Sequence, residues 1–393
     1  MKNLIVLFTL IILISCSKKP EAQLNYEIKV KDGIEHIINE NRPSVPVEDL
    51  KIDLKISFVI NGMDTLDVNK CYFSKVTYFT VDSKDNIFIY DESKVKVNKF
   101  DNAGNYIQNF GGSGTGPGEF RYAMGLACLN DTILVFDTNS RKLNKFNTDG
   151  KFYGTSVMNS KVSLFNKLYV ANENIWCHRL SFKRDGDDLE MYKLIEIRDN
   201  HFNVLTVIDS SSIEYPPKSV KEELSISKAI AVSKDQIYMT DKGDCFTFKI
   251  SVLNESGDLQ KVIRKKFARM KISDKEKELN TKEMQSKGFL ETEEHLEEYL
   301  KILDYKPAIR WIHVDKYDRL WVNESRHIED PSDNRMKFSI FKDGIYLNSA
   351  LLDLDVTEPN FINDVLYGND LVFTNSKIYA MNTSENRITV YEY

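Results

Sequence analysis

Apolar and polar positions follow the same order in two neighbouring stretches of the chain, residues 78–110 and residues 125–153. Each stretch holds short apolar runs separated by polar turns, which is typical of β-strands rather than helices. Three pairs of positions share one offset of 46 residues: Asp91 and Asp137, Phe100 and Phe146, and Gly104 and Gly150. A fixed period of this length, with several short strands in each unit, indicates the blades of a β-propeller.

Weaker copies of the same frame continue along the rest of the chain. They cover residues 168–178 with 192–205, 229–241 with 246–263, 311–323 with 338–347, and 362–375 with 377–393. With the two clear copies they make six units. The predicted fold is therefore an all-β, six-bladed β-propeller of four-stranded blades over residues 51–393.

The sixth copy ends after its third strand, so its blade lacks an outer strand. A ring of sheets has to close, and a blade without its outer strand would expose an unpaired edge. Residues 52–60 alternate apolar and polar positions in the manner of a half-buried strand, and residues 66–73 form a second candidate strand. We expect one of these early segments to complete the last blade and tie the chain ends together.

The loop between the two clear copies reads Phe110-Gly-Gly-Ser-Gly-Thr-Gly-Pro-Gly-Glu-Phe120, and Gly125-Leu-Ala follows it. This loop, with Asp137 nine residues before Phe146, resembles NHL-type repeats. The whole layout resembles the six-bladed β-propeller lipoproteins of Bacteroidetes. The chain departs from the NHL pattern at Lys96 and Lys142, where that pattern has arginine, and at Ala123, where it has proline. The resemblance implies the propeller fold, but these departures weaken any transfer of NHL-protein ligands.

The glycines of this loop are not expected to hold a phosphate. No helix and no lysine-serine ending follows them, as a phosphate-binding loop requires. They allow positive φ angles where the chain crosses from one blade to the next. Aspartates at strand ends, among them Asp91, Asp137 and Asp241, are expected to form Asx turns, as are Asp82 and Asp315 in turns between first and second strands.

The first residues form a targeting segment. Lys2 precedes an apolar run from residue 4 to 14, and Leu13-Ile14-Ser15-Cys16 resembles the bacterial lipoprotein signal in which the cysteine is acylated. We predict a signal peptide over residues 1–15, lipidation of Cys16 and a polar tether over residues 16–50. The predicted location is the cell envelope, with the outer membrane favoured and its side left open. A plain secretory peptide or an N-terminal membrane helix is the alternative.

One segment interrupts the strands between the fourth and fifth units, at about residues 273–305. Ser273-Asp-Lys-Glu276 resembles a capping box that begins a charged helix, and a second helix is expected after Gly288. In a four-stranded antiparallel blade this insert leaves from the same face as the loop at residues 111–118. The insert either caps the ring for stability or forms a lid or docking surface.

Candidate ligand contacts lie at the starts of the inner strands, near the face that carries the insert. They are Arg121, Tyr122, Arg310, Trp311 and His313. Arg310 and Trp311 can recognise a carbohydrate or a peptide carboxylate by stacking and forked hydrogen bonds. The alternative is that Trp311 packs between blades, that Arg310 is a solvated charge and that His313 is a satisfied core residue.

Composition narrows the range of partners. The chain has 53 basic and 59 acidic residues, a net charge of −6, without long blocks of one sign. This balance argues against nucleic acid and leaves the lipid anchor as the contact with the membrane. Cys71, Cys128, Cys177 and Cys245 show no metal-binding spacing, and Cys128 and Cys177 lie in apolar runs that predict buried free thiols. We expect a monomer.

Two functions fit these features. The first is a binding or scaffold protein that presents one propeller face to an envelope glycan, peptide or protein, with no catalytic residue, metal ligand or cofactor. The second is a metal-dependent hydrolase or lyase with calcium or zinc in the axial channel. Three or more acids, amides or histidines in the channel would favour the enzyme. An apolar channel with exposed aromatic side chains on the insert face would favour binding.

Overall fold

The computed structural model describes residues 24–63, 72–157, 163–186, 188–215, 226–233, 236–241, 244, 246–286, 304–326, 333, 335–356, 371–374 and 376–392. The signal peptide, Cys16, the second helix predicted after Gly288 and most of the alternative closing strand lie outside these residues. Within them, no helix has the length and hydropathy needed to cross a bilayer.

The described chain is built almost entirely of short strands. Those of the first half are β1 (Tyr26–Lys31), β2 (Ile34–Asn39), β3 (Lys55–Asn61), β4 (Val76–Val81), β5 (Ile87–Asp91), β6 (Lys96–Phe100), β7 (Tyr106–Phe110), β8 (Ala123–Leu129), β9 (Thr132–Asp137), β10 (Lys142–Asn147), β11 (Phe152–Val157), β12 (Ser163–Ala171) and β13 (Asn174–Asp185). Those of the second half are β14 (Asp188–Arg198), β15 (Val204–Glu214), β16 (Lys228–Val232), β17 (Ile237–Asp241), β18 (Phe248–Leu253), β19 (Leu259–Lys265), β20 (Ile309–Val314), β21 (Leu320–Glu324), β22 (Met336–Lys342), β23 (Ile345–Leu352), β24 (Leu371–Phe373), β25 (Lys377–Asn382) and β26 (Arg387–Glu392). A 3-10 turn at Val47–Leu50 and helix α1 (Asp274–Ser286) complete the set.

The strands form six antiparallel blades in chain order. Blades 1, 2 and 3 are β4–β7, β8–β11 and β12–β15, and blades 4 and 5 contain β16–β19 and β20–β23. Blade 6 contains β24, β25 and β26 with β3 as its outer strand. The predicted fold class is confirmed.

The hydrophobic core is divided into six clusters, one between each pair of neighbouring blades. The cluster between blades 1 and 2 shows the packing: Phe110 and Phe146 have ring centroids 4.9 Å apart, and Phe120 and Tyr90 lie 6.0 Å apart. Blades 6 and 1 share an equivalent cluster that includes Tyr379 and Phe79. Every junction is thus packed, and the ring is closed.

The outer strand of blade 6 comes from the start of the domain. β3 pairs antiparallel with β26, from Arg387 opposite Asn61 to Glu392 opposite Lys55. The prediction that residues 52–60 complete the last blade is confirmed, although the strand begins at Lys55. Of the alternative segment, Tyr72 and Phe73 are described; Phe73 is buried between blades 6 and 1.

The predicted tether over residues 16–50 is wrong for its described part. β1 and β2 form a hairpin, and β2 pairs in parallel with β19, so that the sheet of blade 4 has six strands. The side-chain amide of Asn39 donates to the carbonyls of Arg264 (3.0 Å) and Gly344 (2.9 Å), and its oxygen accepts the N–H of Tyr346 at 2.8 Å. Leu50 is buried between blades 5 and 6. The chain therefore lies along three blades before it becomes β3.

The Asx turns predicted at Asp82, Asp91, Asp137 and Asp315 are present. The Asp91 carboxylate accepts the N–H of Ser93, and that of Asp137 accepts the N–H of Asn139, each at 3.1 Å. Asp82 and Asp315 accept backbone N–H groups two and four residues ahead. Asp241 instead forms an ion pair with Lys228 of β16, while the position two residues beyond it lies outside the described chain.

A buried ion cluster joins blades 4 and 5. Lys265 Nζ of β19 lies 2.5 Å from Glu324 Oε1 of β21 and 2.8 Å from Ser339 Oγ. Lys337 Nζ binds the other Glu324 oxygen at 3.0 Å. Burial acts to raise the pKa of Glu324, but the charges of Lys265 and Lys337 outweigh it and hold that pKa below its usual value of 4.5.

Replacing Asn39 tests whether the N-terminal arm stabilises the ring. Asn39→Ala removes three hydrogen bonds and leaves buried backbone groups of blades 4 and 5 without partners, so we expect a loss of about 2–4 kcal/mol in the free energy of unfolding. Urea denaturation measures this loss. Asn102→Ala, at an exposed turn, is the control and should change stability by less than about 0.5 kcal/mol. Equal effects of the two substitutions would show that the arm is not part of the folded unit.

The ion cluster predicts a pH dependence of stability. Because the folded-state pKa of Glu324 is depressed, its contribution is present above about pH 4.5 and is lost as the pH falls through the folded-state value. Glu324→Gln should cost about 3–5 kcal/mol at pH 7, since it leaves two lysines without a carboxylate. Urea denaturation from pH 7 to pH 3 should show this difference shrinking. Glu27→Gln, in an exposed pair with Lys29, is the control. A pH-independent difference would contradict the assignment.

Candidate functional site

A cavity of about 420 Å³ lies on the axis of the ring. Inner strands from all six blades contribute to its wall. In β8, β16 and β20 the lining residues lie in the C-terminal half of the strand, at 126–128, 230–232 and 312–314. The cavity is therefore displaced toward the face where the inner strands end, opposite the glycine-rich loop that precedes β8.

The described wall of this cavity is mainly aliphatic. Its polar groups are a few threonine hydroxyls, Tyr78, the Cys128 thiol and the His313 imidazole, and its described lining includes no carboxylate or amide side chain. Burial raises the pKa of Cys128 to about 12, so its thiol is protonated and weakly nucleophilic at neutral pH. In the part of the chain that is described, no three His, Cys, Asp or Glu side chains are grouped to hold a metal ion. Three or more acids, amides or histidines would favour an enzyme, and the described wall contains one such group, His313.

The opposite face carries the irregular parts of the chain. In each blade the link from the outer strand to the next inner strand and the turn between the second and third strands leave from this side. The glycine-rich loop (111–122), the β13–β14 turn and the described parts of the connection with α1 (266–286 and 304–308) lie on it, and we call it the insertion face. β13 and β14 continue beyond the start of β12, since Asp185 pairs with Asp188 while Ser163 pairs with Ser181.

Arg121 and Tyr122 are exposed on the insertion face where the chain enters blade 2. Their backbone N–H groups donate to the two oxygens of the Asp137 carboxylate at 3.0 and 3.4 Å, which fixes the chain next to blade 2. Tyr122 keeps 38% of its surface exposed. The side chains are thus displayed to solvent by a rigid backbone.

Arg310, Trp311 and His313 lie on β20, and the strand directs them to different places. Trp311 is buried between blades 5 and 6 with its ring 6.0 Å from that of Phe338, as the packing alternative predicted. His313 lies in the cavity wall, 4.8 Å from the Phe373 ring. Arg310 is half-buried. Burial lowers its pKa to about 10, although the negative charge of Glu276 acts to raise that pKa. Arg310 is the extra residue of a β-bulge between Ile309 and Trp311, whereas Trp311 is packed into the junction with blade 6.

The prediction of buried free thiols is confirmed for Cys177, whereas Cys128 is free but only half-buried. Cys128 and Cys177 are free; Cys177 is fully buried, and burial raises its pKa also to about 12. Cys71 and Cys245 lie outside the described residues.

The predicted capping box is also confirmed. The Ser273 hydroxyl and backbone N–H donate to Glu276 Oε2 at 2.9 and 3.0 Å, and the Glu276 N–H donates to Ser273 Oγ at 3.3 Å. Lys306 Nζ holds the other Glu276 oxygen at 2.5 Å. The first helix of the insert is therefore fixed to the ring by its N-terminus.

Sequence reasoning missed a cluster beside this helix. The Arg269 guanidinium lies 3.9 Å from the ring centroid of Tyr305 and 4.5 Å from that of Phe246. Phe246 belongs to the β17–β18 connection and is 60% exposed. Exposed aromatic side chains on the insertion face thus occur at Tyr122, at Tyr215 and at Phe246.

These features define a six-bladed β-propeller with a mainly apolar axial cavity and one face of irregular insertions. The chain belongs to the family described as a 6-bladed beta-propeller (DUF5128), whose sequence profile matches residues 68–302. No curated protein matches it. The resemblance to NHL-type repeats stays a prediction.

Three solved structures are similar to the chain at low sequence identity. A Bacteroides fragilis protein provisionally described as exported is 14% identical, with a TM-score of 0.49, 91% of this chain covered and 98% of that one. A Bacteroides vulgatus member of the duf4221 family is 12% identical, with a TM-score of 0.47 and coverage of 86% and 97%. The virginiamycin B lyase of Staphylococcus aureus, in complex with quinupristin, is 12% identical, with a TM-score of 0.42 and coverage of 87% and 100%.

Proposed function

We propose that the protein is a lipid-anchored binding or scaffold protein of the bacterial cell envelope that presents its insertion face to a glycan, peptide or protein partner. One observation carries the proposal: the described axial wall is mainly aliphatic, while Tyr122, Tyr215 and Phe246 are exposed on the insertion face. Exposed aromatic side chains on a rigid scaffold are typical of recognition surfaces. The metal-dependent hydrolase or lyase is supported by a single channel histidine, His313, and is the weaker proposal.

The proposed anchor also sets how the ring would meet the membrane. Cys16 lies eight residues before Leu24. A fully extended chain of that length spans at most about 28 Å. β1 follows directly on the outer rim of blade 4, where Val30 is 69% exposed. β1 begins at the insertion-face end of that rim, because Tyr26 lies opposite Asn39 and Asn39 lies beside Lys265 at the end of β19. Acylation of Cys16 would therefore hold this end of the blade 4 rim near the lipid surface.

Cys16→Ala tests the anchor. In cells that process lipoproteins, the unchanged protein should fractionate with membranes and incorporate a labelled fatty acid. The variant should lose the label, since the acylated sulfur is gone. Cys128→Ala, which removes a half-buried free thiol, is the control and should leave labelling and fractionation unchanged. Membrane retention of an unlabelled wild-type protein would refute lipidation.

Paired aromatic substitutions test the binding face. Tyr122→Ala with Phe246→Ala should weaken the binding of purified envelope glycan or protein fractions at least tenfold, measured by biolayer interferometry. Tyr153→Ala with Tyr317→Ala removes two equally exposed tyrosines near the opposite face and is the matched control. Loss of binding in the control pair alone would place the partner on the other face.

A further inference from the structure

The Arg269 cluster is assembled from two separate connections on the insertion face. Phe246 lies between β17 and β18, whereas Arg269 and Tyr305 lie at the two ends of the connection that carries α1. The Phe246 and Tyr305 ring centroids are 6.3 Å apart, and the guanidinium carbon lies within 4.5 Å of both. Cation–π attraction holds an arginine in this arrangement and limits its rotamers before any ligand arrives.

The N–H donors of this guanidinium have no acceptor in the part of the chain that is described. Arginine carries five N–H donors in the plane of its guanidinium. Arg269 is exposed, and among the described residues it has no hydrogen bond or ion pair, only the two ring contacts. The described cluster thus presents these donors without an acceptor from its own residues.

The carboxylates described near this cluster have other partners. Glu276 binds Lys306 and Ser273, and Asp304 lies 3.2 Å from Lys277. Asp244, two residues before Phe246, accepts the backbone N–H groups of Phe246 and Thr247. Of the five basic residues at 264–271, Lys265 and Lys266 are paired with Glu324 and Glu40, whereas the other three have no ion pair among the described residues. The local charge therefore favours an anion at Arg269.

We propose that Arg269, Phe246 and Tyr305 bind the carboxylate of an acidic sugar in an envelope glycan. The forked guanidinium takes a carboxylate with two parallel hydrogen bonds. The exposed Phe246 ring lies beside it and offers apolar surface to the sugar ring that carries the carboxylate. A uronic acid combines both features within one residue, which is why we choose an acidic glycan over an acidic peptide. This inference rests on the proposed function and names its ligand class.

Calorimetric titration of the purified full chain with tri-galacturonate and with tri-mannuronate tests the site. We expect at least one of these trimers to bind and its methyl ester to bind at least tenfold more weakly. Arg269→Met should weaken binding at least tenfold, and Arg269→Lys should give an intermediate loss because charge remains without the fork. Arg184→Met, which removes an exposed arginine on the extended β13–β14 hairpin, should stay within twofold. Thermal melting checks that every variant is folded.

Failure of either trimer to bind, or equal losses for Arg269→Met and Arg184→Met, would overturn the inference. Binding of poly-glutamate as tight as that of the trimer would also overturn it, because the ligand class would be wrong. If Arg269→Met still binds the envelope fractions while the Tyr122→Ala and Phe246→Ala double variant does not, the sugar assignment is overturned and the proposed function stands. Loss of binding in both variants would support the sugar assignment and the proposed function together.

Discussion

The pairing of β3 with β26 is the constraint on which the rest of the structure depends. Each hydrophobic cluster is shared by two neighbouring blades, so no blade buries its apolar faces alone. A ring of this kind gains its stability only when the last junction is filled. β3 supplies the outer strand of blade 6, and its Ile60 enters the cluster that blade 6 shares with blade 1. The preceding residues cross blades 4 and 5, so the two ends of the domain are locked into one unit.

Much of the fold could be predicted from the sequence because propeller turns depend on local chemistry. Asp82, Asp91, Asp137 and Asp315 accept backbone N–H groups within four residues, and such residues keep their spacing in the chain. The N-terminal arm could not be predicted in this way. β2 pairs in parallel with a strand more than two hundred residues away, and only Ile37 and Asn39 of its side chains are fully buried. A short strand with so few buried positions has the composition of a tether.

The candidate site was predicted less completely, for a related reason. Arg310 and Trp311 are adjacent in sequence, but a β-bulge at Arg310 in β20 leaves it near Glu276 of the insert, while Trp311 packs into the junction with blade 6. Tyr122 could be predicted as a candidate contact because it directly precedes an inner strand, β8. The Arg269 cluster joins positions 23 and 36 residues apart through irregular connections, where no period exists. The one signal in the sequence was the run of five basic residues that leads into the insert.

A closed ring of six blades also determines where new chemistry can be placed. The inner strands converge on the axis and are packed on both sides, so a polar residue there must replace part of an interblade cluster, as His313 does beside Phe373. The connections on the insertion face are under no such constraint. The link between blades 4 and 5 carries α1 while its flanking strands, β19 and β20, keep their places in their blades. Residues such as Phe246, Arg269 and Tyr305 can therefore be replaced without loss of a strand, whereas a substitution on the inner strands weakens the packing between blades.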